Sequence, residues 1–515
     1  MRISKKSSNF ARFYRGHYLR NAIKLRFNGN YSDVLRSPQG LKSSGAPENK
    51  QKTSIINHFM QTIKLKKGLD IPFEGTAAET LGSVRRPEVF HIVPDQFAGI
   101  TPKLDVKVGD RVKAGSPLFH DKAFESLFFT SPVSGEVKEI VRGERRKIMS
   151  IDILADSLIE YEKFEVKSEG LTSEGVKDLL LRSGLWALMK QRPYDCIALP
   201  NKTPRAIFIS SFDSAPCAPN YEWVLKGQLP TLQAAVSALG KIAPVFIGIK
   251  GGAKATEFRE LKDCTLYEVY GPHPAGNVGV QLNNLAPLAK GETVFTVNIQ
   301  DLALIGRLFQ KGIVDMQKKV ALTGPLAYGK QYYNVLPGMP VSAVLLSNVH
   351  TECPCRYVAG NVLSGRQITM DDMISVYDNQ FTVLDEGSEN HEFMGWMLPR
   401  FSSFHFGKTD PAAMLDNGFT RWLFGKKHYQ WDARLKGGRR AIIVSGEYDK
   451  VFPMDIYPEY LIKAMIAGNI DKMEALGAYE VAPEDFALCE YVCTSKMPLQ
   501  AIVREALDYL RKEIE

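Results

Sequence analysis

The 515-residue chain has no apolar run of the roughly 18 residues that a spanning helix needs. Its hydrophobic stretches, such as Ala206–Ile209 and Val341–Leu346, are strand-sized, so any attachment to a membrane is expected to be peripheral, through a partner. An apolar segment of the secretory type is also missing from the N-terminal region. Cysteine is sparse: seven residues, scattered, do not make a disulfide framework and fit a reducing compartment. Cys196, Cys217 and Cys264 stand alone and read as ordinary thiols. The body of the chain has no excess of positive charge. Residues 1–59 hold 12 Lys and Arg against Asp33 and Glu48, whereas the rest holds 53 basic and 55 acidic residues. The net charge of +8 therefore belongs to the extension, and nothing supports a nucleic-acid-binding body. Residues 1–59 read as a basic extension that is either disordered or not part of the mature protein, although an Arg- and Ser-rich, acid-poor stretch also resembles a transit peptide. The composition changes at Met60, where Ile63-Lys-Leu65 opens a strand-like pattern.

A chain of this length suggests three or four domains. Residues 60–158 read as β. Leu104-Asp-Val106-Lys-Val108-Gly109-Asp110 through Gly115 to Phe119, and Thr130-Ser-Pro132 through Gly135 to Ile140, alternate with period two and break at glycines. They match the two halves of a lipoyl- or biotinyl-type barrel sandwich. Lys122, after Asp121, is the candidate attachment lysine of a carrier domain, but it follows Gly115 closely and has no symmetric surroundings, so a solvated lysine is the stronger reading. Residues 159–316 alternate strands (206–210, 245–249, 264–269, 293–297) with helices (172–189, 230–239, 299–311), which predicts a Rossmann-like, doubly wound α/β domain. Its glycine turns at Lys250-Gly251-Gly252, Ser183-Gly184-Leu185-Trp186 and Gly271-Pro-His273-Pro274-Ala-Gly276 lack a G-x-G-x-x-G continuation. Prolines in the last remove the N–H donors that a phosphate cradle uses.

Residues 317–375 read as β again, with strands at 319–323, 331–335, 342–346 and 356–359, and suggest a β-grasp (SLBB-type) module. Within it, Cys353-Pro-Cys355 is a metal or redox candidate without a second cysteine pair, His350 and Glu352 notwithstanding, and a plain turn is the stronger reading. Residues 376–515 begin as an irregular, aromatic-rich stretch (Trp396, Phe401, Phe404, Phe406, Trp422, Phe424) that offers either a partner surface or core. They end in helices at 458–467, 471–476, 483–493 and 498–514. In the last part, Ala487-Leu-Cys489-Glu-Tyr-Val-Cys493 looks like the closing half of a ferredoxin-type motif. A four-iron cluster needs four thiolates, commonly as C-x2-C-x2-C-x3-C-P. Only the x3 pair is present, and Thr494 stands at the proline position.

The order of modules, with Lys64-Leu-Lys-Lys-Gly68-Leu-Asp70-Ile-Pro72, Ser183-Gly-Leu-Trp186, Arg192-Pro193, Gly271-Pro-His-Pro-Ala-Gly276, Gly360-Asn-Val-Leu-Ser-Gly365 and the Cys489/Cys493 pair, resembles the A-subunit family of bacterial sodium-pumping NADH:quinone reductases. The resemblance runs from Met60 to the C-terminus and extends to the C subunit of Rnf complexes. It implies a translocase that oxidises NADH, reduces quinone and exports sodium. This chain would sit on the cytoplasmic face of the bacterial inner membrane against the membrane-embedded B subunit. Relatives hold flavin or nucleotide on a glycine-rich loop; here Trp186, Met189 and Arg192 occupy the corresponding stretch. The Rnf relative has two four-cysteine motifs; here Ser445–Met454 has no cysteine and only Cys489 and Cys493 remain of the second. The resemblance thus implies no cofactor and no catalytic or metal residue in this chain, with flavins and iron–sulfur centres elsewhere in the complex. Gly68, Asp70, Pro72, Pro272, His273 and Gly276 are the candidate loops facing a partner or a quinone. An Rnf-type electron-transfer protein is the alternative; a lipoyl- or biotin-type carrier and a stand-alone nucleotide-dependent dehydrogenase are weaker ones.

Overall fold

In the computed structural model the described residues are 60–166, 170–253, 256–350, 353–388, 428–429 and 431–514. The N-terminal extension, Glu352 and the aromatic stretch 396–424 lie outside them. Four sheets organise the described chain.

Two small sheets form the first module. Val89–Ile92, Ile148–Ala155, Gly135–Arg142 and Arg111–Val112 make four strands; Pro102–Leu104, Pro117–Asp121 and Phe128–Thr130 make three. The alternating residues anticipated from the sequence turn inward: Leu118, Phe119, Val133, Val137, Ile151 and Ile153 are fully buried. Phe119 stacks on Phe129 with ring centroids 4.7 Å apart.

The largest sheet has seven strands in the order Gln61–Lys64, Thr265–Tyr270, Val245–Lys250, Ile207–Ser210, Val294–Asn298, Lys190–Arg192, Cys196–Ile197. The first five run parallel, and Lys190–Arg192 runs antiparallel to both of its neighbours, Val294–Asn298 and Cys196–Ile197. Side chains of a strand alternate between faces, and both faces here are apolar. Ile207 and Ile209 join one core cluster while Phe208 joins another. The first cluster includes helices Ser173–Arg182, Leu229–Leu239 and Ile299–Lys311. The second face has helix Val278–Leu285 from the same unit, and the C-terminal helices Pro458–Ile466, Ala487–Val492 and Leu499–Ile514 complete its cover. A parallel sheet needs apolar cover on both sides, which explains why the C-terminal region packs here.

The remaining sheet is built on Gln380–Asp385, which pairs parallel with Lys318–Thr323 and antiparallel with Cys355–Ala359. Tyr332–Val335 and Arg366–Ile368 extend it.

Five expectations change. Gln61–Lys64, assigned above to the barrel domain, pairs with Thr265–Tyr270 at the edge of the seven-stranded sheet. Leu81–Gly82 pairs with Tyr332–Tyr333. Segments ahead of the barrel thus supply edge strands to two later sheets, pairings that local patterning does not reveal. Gln380–Asp385 lies past the boundary set at 375, yet it is central to the third module. Ser342–Leu346 is not a strand: Ser342–Leu345 is a helical turn, with Val341, Val344 and Leu345 buried and Leu346 exposed. That spacing is helical, and a short apolar run alone does not separate the two states. The helix expected over 172–189 stops at Arg182, because Gly184 adopts a left-handed conformation (φ 75°) before the turn Leu185–Leu188.

Gly306 lets two helices touch: a Cβ built there would lie 2.0 Å from the Thr231 carbonyl oxygen in Leu229–Leu239. Gly306→Ala should therefore force the helices apart and cost about 1–3 kcal/mol in urea denaturation; an unchanged midpoint would contradict this packing.

Candidate functional site

From Ile207–Ser210 the chain winds outward to Val245–Lys250 and Thr265–Tyr270, then returns to place Val294–Asn298 on the other side of Ile207–Ser210. Between those two strands the winding direction reverses, the place where open α/β sheets leave a crevice at their strand C-termini. A cavity of about 200 Å3 lies there, lined by Ser210 and Asn298 at the strand ends and by His273, Asn277, Arg192 and Glu484 among others.

The two loops singled out from the sequence meet beside it. The Leu69 N–H donates to the His273 carbonyl at 2.8 Å, and the His273 N–H donates to Asp70 Oδ1 at 2.9 Å. Gly68, at φ 138°, packs so closely that a Cβ would lie 2.3 Å from the His273 carbonyl oxygen. The Gly276 N–H donates to Ser214 Oγ at 2.8 Å, and Ser214 Oγ is 3.0 Å from His273 Nδ1. Gln281 ties the loop to the sheet through Ser210 Oγ and the Ala275 carbonyl. Burial lowers the His273 pKa against Asp213 and Asp70, so the imidazole is neutral at pH 7. His273 and Gly276 are buried and face inward to the cavity; Asp70 is exposed, and Gly68, Pro72 and Pro272 are half-buried. The lining is rich in charged and amide groups, which suits water or a hydrophilic molecule better than a quinone ring.

One wall is electrostatically closed by the protein itself. Arg192 Nη1 donates to Asp485 Oδ2 at 2.8 Å, with both side chains almost fully buried. Both groups crowd the start of helix Val278–Leu285: a Cβ on Gly279 would lie 2.7 Å from Arg192 Nη2 and 2.8 Å from the Asp485 carboxylate. A helix N-terminus favours an anion, and the Asp485 carboxylate lies beside this one, with its Oδ1 making no hydrogen bond among the described residues. Burial alone would weaken the hold of Arg192 on its proton, but Asp485, Asp195 and Glu484 outweigh it and raise its pKa. Next to the pair, the Glu484 carboxylate is 3.5 Å from Arg192 Nη2 and keeps 46% of its side-chain surface open. Despite that opening, the protein packed around the carboxyl, followed by the charge of Asp485, pushes it up to about 7. Sequence reading missed Glu484 and Asp485. Their signal is Pro483-Glu-Asp at a helix start, which reads as ordinary capping until Arg192 is seen beneath it.

The other marked residues are placed as follows. Trp186 fills the turn after Gly184: it is buried, donates Nε1–H to the Ala198 carbonyl at 2.6 Å and meets Phe295 edge-on. Cys489 and Cys493 are free and buried, and Tyr448 Oη lies 2.9 Å from Cys493 Sγ. Burial raises the Cys489 thiol well above its ordinary value, which suits a neutral packing thiol at that position. Lys122 is exposed in the turn between two barrel strands, its N–H bonded to the Thr101 carbonyl. Cys353 and Cys355 are half-buried at the start of a strand of the third module. Among the described residues no cluster of three metal-type side chains occurs, and no helix is long and apolar enough to cross a membrane.

Two outcomes test this electrostatic wall. Arg192→Met should cost about 3–5 kcal/mol by stranding the buried Asp485 carboxylate, and Arg192→Met with Asp485→Leu should recover most of the loss; equal losses for the single and double variants would show that the pair is not the cause. Glu484, with its folded pKa raised, contributes stability that is complete below the unfolded pKa of about 4.3 and is lost as pH rises toward about 7. Urea titrations from pH 4.5 to 8 should therefore show wild type losing ground to Glu484→Gln across that window, whereas parallel curves would remove the assignment.

Comparison with known proteins follows the same division. Residues 63–156 match the family profile described as the NqrA N-terminal barrel-sandwich hybrid domain, and residues 171–314 match the NqrA second alpha/beta domain. The chain is 31% identical over 456 residues to the A subunit of the Na(+)-translocating NADH-quinone reductase of Pasteurella multocida, covering 88% of this chain and 100% of that one. It is 31% identical over 457 residues to the protein of the same name from Neisseria meningitidis and over 458 residues to that from Haemophilus influenzae, with the same shares covered. An NAD+-reducing [NiFe]-hydrogenase chain aligns over 60% of this chain and 56% of its own at 13% identity, with a TM-score of 0.27, too low to bear on the fold. Full-length relatives at this identity, together with both domain matches, show that the chain belongs to the A-subunit family of the Na(+)-translocating NADH-quinone reductases.

Proposed function

We propose that this chain serves a sodium-pumping NADH:quinone reductase as a cofactor-free peripheral component, docked on the cytoplasmic face against the membrane-embedded B subunit. Its place in such a complex rests on the full-length likeness to proteins of that name. The cofactor-free reading is carried by one observation: protein side chains occupy the places where an electron carrier would need ligands. The Asp485 carboxylate lies beside the Val278–Leu285 helix start, with Arg192 as its counter-ion. Trp186 takes the space of a glycine loop, and a buried tyrosine hydroxyl meets the Cys493 thiol. Backbone approach to a phosphate needs open glycines, and a cluster needs four thiolates.

The finer architecture follows the same reading. The five parallel strands with helices on both faces support a Rossmann-like unit that has exchanged its nucleotide for internal contacts. The mixed sheet around Gln380–Asp385 supports a β-grasp module of SLBB type. Gly68, Asp70, Pro72 and Pro272, at or near the surface, remain candidates for facing partner subunits. Quinone contact, if this chain makes it, belongs at such a seam with a partner, since the cavity beside His273 is polar.

The test is iron and flavin analysis of the chain purified alone and in the intact membrane complex. Neither should co-purify with the isolated chain, and the chain should co-elute with a flavin-bearing membrane protein; stoichiometric iron would favour the Rnf-type reading instead. In the complex, Cys489→Ala with Cys493→Ala should lower stability by about 2 kcal/mol, as buried small-side-chain losses do, while leaving quinone reduction intact. Loss of electron transfer in a folded double variant would defeat the cofactor-free assignment.

A further inference from the structure

Cys353-Pro354-Cys355 is absorbed by none of the roles above, and its geometry differs from that of the other five cysteines. All seven are free. Cys489, Cys493 and Cys196 are buried, Cys264 is isolated, and the Cys217 thiol is engaged with Thr76 and the Phe73 carbonyl. Cys353 and Cys355 alone are both partly open to solvent and two residues apart.

The backbone presents them together. The Glu386 N–H donates to the Pro354 carbonyl at 2.9 Å, and Cys355 pairs with Asp385 as the first residue of its strand. This ladder holds 354–355 extended. Pro354 fixes its own φ, and the chain bends at Cys353. The bend departs from the full extended separation of roughly 6.6 Å between residues i and i+2, which would keep two thiols apart. They lie close: Cys355 Sγ–H donates to the Cys353 carbonyl at 3.4 Å and to the His350 carbonyl at 3.1 Å. On its other side the strand is open at this point, because Arg366–Ile368 pairs only with 357–359.

We propose that Cys353 and Cys355 form a reversible dithiol–disulfide site on the third module, whose reaction partner is a small-molecule disulfide of the glutathione class. The Cys353 thiolate attacks one sulfur of the disulfide RSSR, forming a mixed disulfide and releasing one RS−. The Cys355 thiolate then attacks Cys353 Sγ, closing the intramolecular disulfide and releasing the second RS−. Two thiol protons pass to the two leaving thiolates, and the two electrons of the dithiol reduce RSSR to two RSH. Cys353 acts first because the Cys355 thiol proton is engaged by two carbonyls. Burial, then the neighbouring Cys353, also pushes the Cys355 thiol up to about 11. Such a thiol carries little thiolate to meet bulk oxidant, so its attack is confined to a sulfur held beside it. Its reduced form gains nothing from thiolate stabilisation, which favours the closed state once formed.

The experiment uses the full-length chain, reduced, then equilibrated with graded mixtures of oxidised and reduced glutathione, acid-quenched, alkylated and read by peptide mass spectrometry. The peptide carrying Cys353 and Cys355 should lose two hydrogens and escape alkylation, while peptides carrying Cys489 and Cys493 remain fully alkylated. Cys355→Ser should trap a glutathionyl adduct on Cys353 that wild type does not accumulate, and Cys353→Ser should react far more slowly. Circular dichroism confirms that each variant is folded. Full alkylation of both cysteines across the whole glutathione range would overturn the proposal. So would a glutathionyl adduct that persists on wild-type Cys353, since the neighbouring thiol would then be out of reach.

Discussion

The buried contact between Arg192 and Asp485 joins two parts of the chain that lie far apart in sequence. Arg192 ends an antiparallel strand of the large sheet, and Asp485 opens the helical segment that covers that sheet's second face. Taking a guanidinium and a carboxylate out of water costs several kcal/mol each, recovered only with good geometry and further hydrogen bonds. Asp485 obtains one from the Ala482 N–H at 2.8 Å. The neighbouring turn is held as well: Tyr194 and Asp195 adopt left-handed conformations at φ 78° and 48°. Arg504, from helix Leu499–Ile514, donates to the carbonyls of both. The C-terminal region therefore clamps the strained turn and neutralises the charge beneath it.

This arrangement gives a physical reason for the helical region to pack on the sheet. Phe208, Tyr267, Val269 and Val294 project from the sheet on the side where its own unit supplies one short helix. Without Leu461, Phe486 and Leu507 above them, those side chains would face water at about 25 cal/mol for each Å2 exposed. Cys489 and Cys493 contribute to the same buried surface.

The parts of this organisation that were legible in the sequence are those set by short-range pattern. The parallel strands and the helices Leu229–Leu239 and Ile299–Lys311 announced themselves through apolar runs and periodicity, and the barrel through paired glycine-punctuated alternations. Proximity of the Gly68–Pro72 and Pro272–Gly276 loops was not derivable from either loop alone; it follows from Gln61–Lys64 pairing with Thr265–Tyr270, a non-local choice. The direction in which His273 faces was equally hidden, because a histidine between prolines reads as a surface turn until Ser214 and Asp70 are brought to it. Glu484 and Asp485 looked like helix-start carboxylates, and only the tertiary position of Arg192 gives them another meaning.

The edge strand Gln61–Lys64 also carries a consequence for biosynthesis. Its hydrogen-bonding partner begins at Tyr267, so about two hundred further residues must leave the ribosome before the pair can form. At roughly 5–20 residues per second, the strand waits on the order of ten to forty seconds with its backbone groups unpaired. Throughout that interval the barrel behind it can close on its own residues. The register of the first strand is thus decided late, when the α/β sheet is already assembling, and a nascent-chain chaperone would find its target at the front of the protein.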